Sequence, residues 1–338
     1  MEATITPKLN TAELEQKVKN MYRDVAMHPH EKYHFEMGRA LAEKLGYEPK
    51  DLDKIPQQAI ESFAGVGYFF DIAGIKEGEK ILDLGSGSGM DSFLASLRAG
   101  TTGSVTGVDM TDEQLEKSTS LQKQYGFNNI NFVKSYIENL PFEDGSFDVV
   151  ISNGVINLSA DKAKVFKEIS RVLKPNGRLA IADIVTEKNL PENVVCNTTL
   201  WASCIGGASQ QDEYREAIED AGLEIVSVIN NDKYAFISSS AQGASKQYGV
   251  KSVSLLAQKK IKANASLYVP GLACANLTPA IKNEMQHLKE GEILEVVSDD
   301  NASREGVPAW CRLTGNKLLH EQKTDLDKTA FYIQKKNN

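Results

Sequence analysis

A chain of 338 residues is long for one domain and comfortable for two. Its net charge of −8 leaves no basic surplus to neutralise phosphates, which speaks against a nucleic-acid binder. No apolar run approaches the length of a membrane span, and MEATITPKLNTAELEQ lacks the basic and apolar regions of a secretory signal, so neither a membrane nor an export route is expected.

In chain order, residues 12 to 46 read as helical, first AELEQKVKNMY and then HEKYHFEMGRALAEKLGY. PKDLDKIPQQAIESFAGVGYFFDIAGI reads as helix with a proline break. An alternation follows: KILDLGS strand, MDSFLASLRAG helix, SVTGVDM strand, TDEQLEKSTSLQKQYG helix, INFVKSY strand, SFDVVISNG strand, DKAKVFKEISRVLKPNG helix, RLAIADIV strand and DEYREAIEDAG helix. EIVSVINN and SVSLLAQKK then predict a closing antiparallel pair with no long helix between them. Strands alternating with helices predict an α/β fold, a doubly wound parallel sheet covered on both faces. The short polar stretch IKANA, 261 to 265, reads as a linker. Beyond it a second βα pattern predicts a small two-layer α/β domain. The expected division is a helical extension or lid over 1–54, a main domain over 55–260 and a small domain over 266–338.

Asp83-Leu-Gly85-Ser-Gly87-Ser-Gly89 lies between an apolar strand and a helix. Glycines there let the backbone turn sharply and approach a ligand closely. A dinucleotide fingerprint, GxGxxG, would need glycine where Met90 stands. The actual GxGxG resembles motif I of class I S-adenosylmethionine-dependent methyltransferases, and ENLPFEDGSFDVVISN resembles their next two motifs. That resemblance implies S-adenosyl-L-methionine as cofactor on a Rossmann-like methyltransferase sheet. It implies Gly85, Gly87 and Gly89 under the cofactor, Asp83 near its amino group, and Asp109 and Met110 at the ribose. Ile137 and Glu138 would flank the adenine, and Asn153 would close the methyl side.

LDLGSGSGMD, GVDMTDEQL, SNGVINLSADKAKVFKEISRVLKPNGRLAIADIV and LWASCIGGASQQDEYREAIEDAGL resemble arsenite methyltransferases over roughly residues 55 to 230. The implied acceptor is soft, with trivalent arsenic first. Thiolates hold such a metalloid with its lone pair aimed at the methyl group. Of the cysteines the resemblance implies, Cys204 is present in Trp-x-x-Cys. The one expected before VINLS is Gly154, and SFAGVGYFF carries none. Cys196, eight residues before Cys204, is the candidate second As(III) ligand. Either cysteine can also be a small buried residue. A thiol, a persulfide or a small organic acceptor is the alternative, and a metalloid or sulfur sensor that binds the cofactor without turnover is another.

Four cysteines without CxxC spacing, Cys196, Cys204, Cys274 and Cys311, predict free thiols in a reducing cytoplasm. YVPGLACANLTPAI and the residues to about 335 resemble the TusA/SirA sulfur carriers. There Cys274 would open a helix, whose N-terminal end favours the thiolate. The family's Cys-Pro-x-Pro is Cys274-Ala-Asn-Leu277 here. Cys274 is thus a candidate thiol that carries sulfur or helps bind the soft acceptor, with a thiol reductant or sulfur donor as a further partner. Cys311 reads as packed. His28, His30 and His34 lie within seven residues, and 30 and 34 would share a helix face as metal ligands do, though no acidic or cysteine ligand is near. Tyr22, Arg23, Tyr33 and His34 read as parts of a lid.

Overall fold

The computed structural model describes residues 10–197, 201, 205–324 and 328–337. The chain divides into two compact units, Met1–Lys259 and Lys260–Asn338.

The first unit opens with α1 (Thr11–Met27), capped where Asn10 Oδ1 accepts the Glu13 N–H at 3.2 Å. Its buried residues Leu14, Val18 and Val25 recur at helical spacing. The chain from 28 to 37 is not helical, so His30 and His34 share no helix face; α2 begins only at Gly38 (Gly38–Leu45). The proline-broken stretch forms three short helices, α3 (Pro49–Leu52), α4 (Gln57–Glu61) and α5 (Phe70–Ala73). The alternating region gives β1 (Lys80–Leu84), α6 (Met90–Ala99), β2 (Ser104–Asp109), α7 (Asp112–Tyr125), β3 (Ile130–Lys134), β4 (Phe147–Asn153), α8 (Lys162–Val172) and β5 (Leu173–Thr186). α9 (Glu192–Val195), β6 (Ser209–Gln210), α10 (Gln211–Asp220), β7 (Leu223–Asn230), α11 (Ser239–Tyr248) and β8 (Lys251–Lys259) complete it.

The sheet order is β3-β2-β1-β4-β5-β8-β7, with β6 beside β5. Strands β1 to β6 pair in parallel, and β8 runs antiparallel to both β5 and β7. The closing pair is as expected, but the ten-residue α11 stands between its strands. Along β1 and β4 successive residues go to opposite faces, as the pleat requires. Ile81, Val149 and Ile151 pack with Phe93 and Leu94 of α6 on one face. Leu82, Leu84 and Val150 pack with Phe166 and Ile169 of α8 and Tyr214 of α10 on the other. Strands buried on both faces explain the nearly continuous apolar runs of the sequence. Each fully buried Leu, Ile or Phe contributes roughly 1.5–3 kcal/mol.

The second unit has β9 (Ala265–Tyr268), α12 (Cys274–His287), β10 (Ile293–Ser298), α13 (Ser303–Thr314), β11 (Lys317–Lys323) and β12 (Thr329–Gln334). Its sheet order is β11-β12-β10-β9. One core joins both helices to the sheet through Leu277, Ile281, Met285, Leu294, Val296, Val307, Cys311 and Phe331. Cys311 is buried, and burial pushes its thiol up to about 11, so it packs rather than reacts. The backbone places Cys274 as the first residue of α12.

Candidate active site

Three glycines shape the turn from β1 into α6, with φ of +65° at Gly85, +52° at Gly87 and +96° at Gly89. That region favours glycine. A Cβ at Gly85 would stand 2.5 Å from both γ carbons of Val155. The loop therefore passes close against the segment after β4. Above it lies a cleft of about 300 Å³ at the carboxyl ends of β1, β2 and β4, where ligands sit in open α/β sheets.

The polar wiring of this cleft is specific. Gly87 N–H donates to Asp109 Oδ2 at 3.0 Å and Thr111 N–H to Oδ1 at 2.8 Å. Burial raises the Asp109 carboxyl above its usual range despite these donors. Asp83 Oδ2 accepts the Ser92 hydroxyl at 2.6 Å, and burial, with Asp91 nearby, pushes its carboxyl well up. Asp91 accepts from Tyr47 Oη at 2.7 Å and from Asn153 Nδ2 at 3.0 Å, and burial brings it to about 6. Glu138 accepts the Ser159 hydroxyl. Ser86 Oγ is buried without a partner although it lines the cleft, so it is open to a ligand.

Helix α1 closes one side. Leu14 and Val18 pack on Trp201, with Tyr22, Met110, Leu158 and Val195 around them. Gln114 links lid to loop: its Oε1 accepts the Ser88 hydroxyl at 2.6 Å and its Nε2 donates to the Tyr22 carbonyl at 2.8 Å. Trp201 is fixed in turn by its indole N–H on the Val195 carbonyl and by Lys162 Nζ, 4.8 Å over its ring. Two glycines follow it for steric reasons. A Cβ at Gly206 would stand 2.3 Å from Trp201 Cδ1, and one at Gly207 would stand 2.0 Å from the Asn157 carbonyl.

Asp83, Gly85, Gly87, Asp109, Met110, Ile137, Glu138 and Asn153, all expected from the sequence, line this one cleft. Gly89 instead caps α6, where a Cβ would stand 2.9 Å from Phe132. The Asn153 side chain is taken up by the protein: Oδ1 accepts from Val66 N–H at 2.8 Å, and Nδ2 faces Tyr47 Oη, the Gly67 carbonyl and Asp91. Its amide ties the 65–67 segment over the site. Cys196 ends α9, half-buried and outside any disulfide. Cys204 lies outside the described residues. Of the expected lid residues, Tyr22 lines the cleft, while the Tyr33 hydroxyl turns to the His28 carbonyl. Among the described residues no group of His, Cys, Asp and Glu could hold a metal ion. Sequence reading missed Ser86, Asp91, Tyr47 and Gln114. Ser86 lies inside the glycine run and Asp91 two residues beyond it, so both were open to notice; Tyr47 and Gln114 gave no signal.

Among the described residues the lining contains five carboxylates and no lysine, arginine or histidine. Such a wall repels the phosphates of a dinucleotide and suits a cationic ligand. A solved arsenic(III) S-adenosylmethionine methyltransferase from Chlamydomonas reinhardtii is 30% identical, superposes with a TM-score of 0.51, and is covered over 76% of its length by 68% of this chain. This chain belongs to the S-adenosylmethionine-dependent methyltransferases. Residues 75–222 match the family model described as a methyltransferase domain, and residues 269–335 match that of the sulfurtransferase TusA. The methyltransferase unit is also similar to the arsenite methyltransferase of Halobacterium salinarum, 38% identical over 57% of this chain and 49% of that one. A ubiquinone/menaquinone C-methyltransferase of Haemophilus ducreyi is 34% identical over 48% of this chain and 71% of that one. The chain thus spans about half the length of the Halobacterium relative. The methyltransferase cleft fits the family's cofactor on its own evidence: close-approach glycines, an unpartnered Ser86 hydroxyl and a wall without basic groups. Among the described residues no helix is long and apolar enough to cross a membrane.

Proposed function

We propose that this methyltransferase moves the methyl group of S-adenosylmethionine to a soft trivalent acceptor, arsenite first, with Cys204 as the thiolate that holds it. The observation that carries the reading is the lid. α1 lines the cofactor cleft through Leu14, Val18 and Tyr22, and Leu14 and Val18 also pack on Trp201, which stands three positions before Cys204 in the sequence. The arsenite methyltransferase relatives support the same acceptor.

When bound, the cofactor supplies an electrophilic methyl on a sulfonium. The chain's own work is positioning and exclusion of water, which is what an in-line displacement needs. Asn153 holds the 65–67 segment over the site, Leu14 and Val18 seal one side, and Asp109 with Ser86 orients the ligand. No general base is called for, since the attacking group is a lone pair on arsenic. An uncharged acceptor also enters a carboxylate-lined cleft without repulsion.

Gly154 stands where the resemblance implies a cysteine. Its φ is +72°, and a Cβ there would stand 3.1 Å from Val66 Cγ1. On this reading the missing thiolate comes from Cys196 or from an external thiol. A second reading, methylation of a thiol or persulfide, is favoured by one observation, the Cys274 position at the start of α12 in a unit that matches a sulfurtransferase model. The test is competition between acceptors. Arsenite and a persulfide are offered together with methyl-labelled cofactor, and the labelled product is identified by mass spectrometry. Methylated arsenic lost in Cys204→Ser supports the first reading; label only on sulfur supports the second.

A further inference from the structure

Lys162 stands where an ammonium is costly. It is the first residue of α8, at the positive pole of the helix dipole. That helix already has its cap, made by Asp161 Oδ1 on the Lys164 N–H at 3.0 Å. Lys162 is partly buried, and among the described residues its ammonium makes one hydrogen bond, to the Ser159 carbonyl at 2.9 Å. Two carboxylates lie near enough to favour its charge, Asp183 of β5 and Glu138. Both are engaged elsewhere. Asp183 takes the Tyr214 hydroxyl at 2.7 Å and the Ile184 N–H at 2.8 Å, and Glu138 takes the Ser159 hydroxyl. The side chain that the ammonium does meet is Trp201, 4.8 Å from the ring centroid. An exposed lysine would cost less here, so the contact with the indole is what the position gains.

Trp201 is where several parts of the unit meet. It packs with Leu14 and Val18 of α1, its indole N–H reaches the Val195 carbonyl at the end of α9, and Gly206 and Gly207 pass against it. Ser159 carries the link onward to the cofactor cleft: its carbonyl holds the ammonium, and its hydroxyl holds Glu138 of the lining. We propose that Lys162 is a positioning residue: its ammonium holds the Trp201 ring and, through that ring, fixes the Trp-x-x-Cys segment to the cleft wall. The role of Cys204 rests on the acceptor reading above; the hold on Trp201 does not.

The hold depends on charge. Methylene groups alone pack on an indole, but the cation is drawn to the ring face. Burial brings the ammonium down to about 8, against the pull of Asp183 and Glu138, with the Tyr214 hydroxyl of α10 on Asp183. Above that pH the amine is neutral. It is then cheaper to bury, so the fold as a whole gains stability, while Trp201 loses its cation. Global stability and local order of the ring therefore move in opposite directions, which separates positioning from a merely structural role.

The experiment reads Trp201 and Cys204 separately and needs no acceptor. In the full chain carrying Trp310→Phe, acrylamide quenching of Trp201 is measured at pH 7 and pH 9.5, beside urea melts. The quenching constant is expected to rise several-fold at the higher pH while the urea midpoint also rises. Lys162→Met should show the high quenching constant at both pH values. Lys162→Arg, whose charge does not titrate, should show the low one at both. Lys164→Met, at an exposed position of the same helix, should behave as the parent. At pH 7, alkylation of Cys204 by iodoacetamide, read by peptide mass spectrometry, should be about tenfold faster in Lys162→Met, the scale of a partly desolvated cation–π contact. Were the ammonium acting on the thiol itself, its removal would slow alkylation, and that result overturns the proposal. So does a parent quenching constant that is the same at both pH values, a result that needs no variant at 162 to fold. Looser Trp201 without faster alkylation of Cys204 overturns it too, since the ring would then fix nothing beyond itself. A chain that fails to methylate arsenite leaves both readouts intact, so failure of the acceptor reading is told apart.

Discussion

Gly85→Ala and Gly87→Ala look alike in sequence but should differ sharply. Both positions have φ in the left-handed region, so an alanine at either costs about 1–2 kcal/mol of backbone strain. At Gly87 little is added, since the nearest atom to a new Cβ is Gln114 Oε1 at 3.7 Å. At Gly85 the new methyl would stand 2.5 Å from both γ carbons of Val155. Real Cβ atoms do not approach so closely, and overpacking of this kind adds about 1–3 kcal/mol. Gly85→Ala should therefore cost about 2–5 kcal/mol, against about 1–2 for Gly87→Ala. Urea denaturation of the two variants measures both. The double variant Gly85→Ala/Val155→Ala separates the two causes: it should recover the packing part and leave the strain, a coupling of about 1–3 kcal/mol. Equal losses at the two glycines, with no coupling to Val155, would refute the claim that the loop is pressed against the segment after β4.

Gly207→Ala should expose Trp201, because its Cβ would stand 2.0 Å from the Asn157 carbonyl and 2.7 Å from the indole ring. In a Trp310→Phe background, the fluorescence maximum of Trp201 should shift to longer wavelength. Burial depresses Lys162 to about 8, so between pH 8 and its ordinary value the unfolded chain binds more protons than the folded one. Stability should thus rise with pH across that window, and Lys162→Met should remove the slope in urea melts at pH 8 and pH 10. Gln114→Ala cuts the link between Ser88 and the Tyr22 carbonyl, so amide exchange in α1 should speed up several-fold relative to α8. Unchanged exchange would mean that the packing of Leu14 and Val18 alone holds the lid.

The parts of the site that sequence reveals are those made by neighbouring residues. Asp83, Gly85 and Gly87 lie within one strand-to-helix turn, where few backbone paths exist and glycine marks them. Asp109 was legible as the last residue of the second strand, and Ile137 and Glu138 through the likeness of their segment to a methyltransferase motif. Contacts across long stretches left no such mark. Tyr47 reaches Asp91 across 44 positions and Asn153 reaches it across 62. Both α8 and the histidine segment ran shorter than expected. Pro175 disfavours helix in the residue before it, and Leu173 already pairs with Phe147 as the start of β5. Pro29 likewise follows the end of α1, so the 30/34 spacing carried no helical meaning. The Trp-x-x-Cys-x-x-Gly stretch was recognised by likeness, and geometry now gives its cause: two glycines let the chain pass against Trp201 and Asn157.

The most direct measurement is arsenite methylation by the wild type, Cys204→Ser and Cys196→Ser, with methyl-labelled cofactor and excess external thiol. Binding of the cofactor is checked for each by calorimetry. The account predicts methylated arsenic from the wild type, none from Cys204→Ser, and unchanged cofactor binding in both cysteine variants. Methylated arsenic formed equally well without Cys204, or none from a wild type that binds the cofactor, would contradict it.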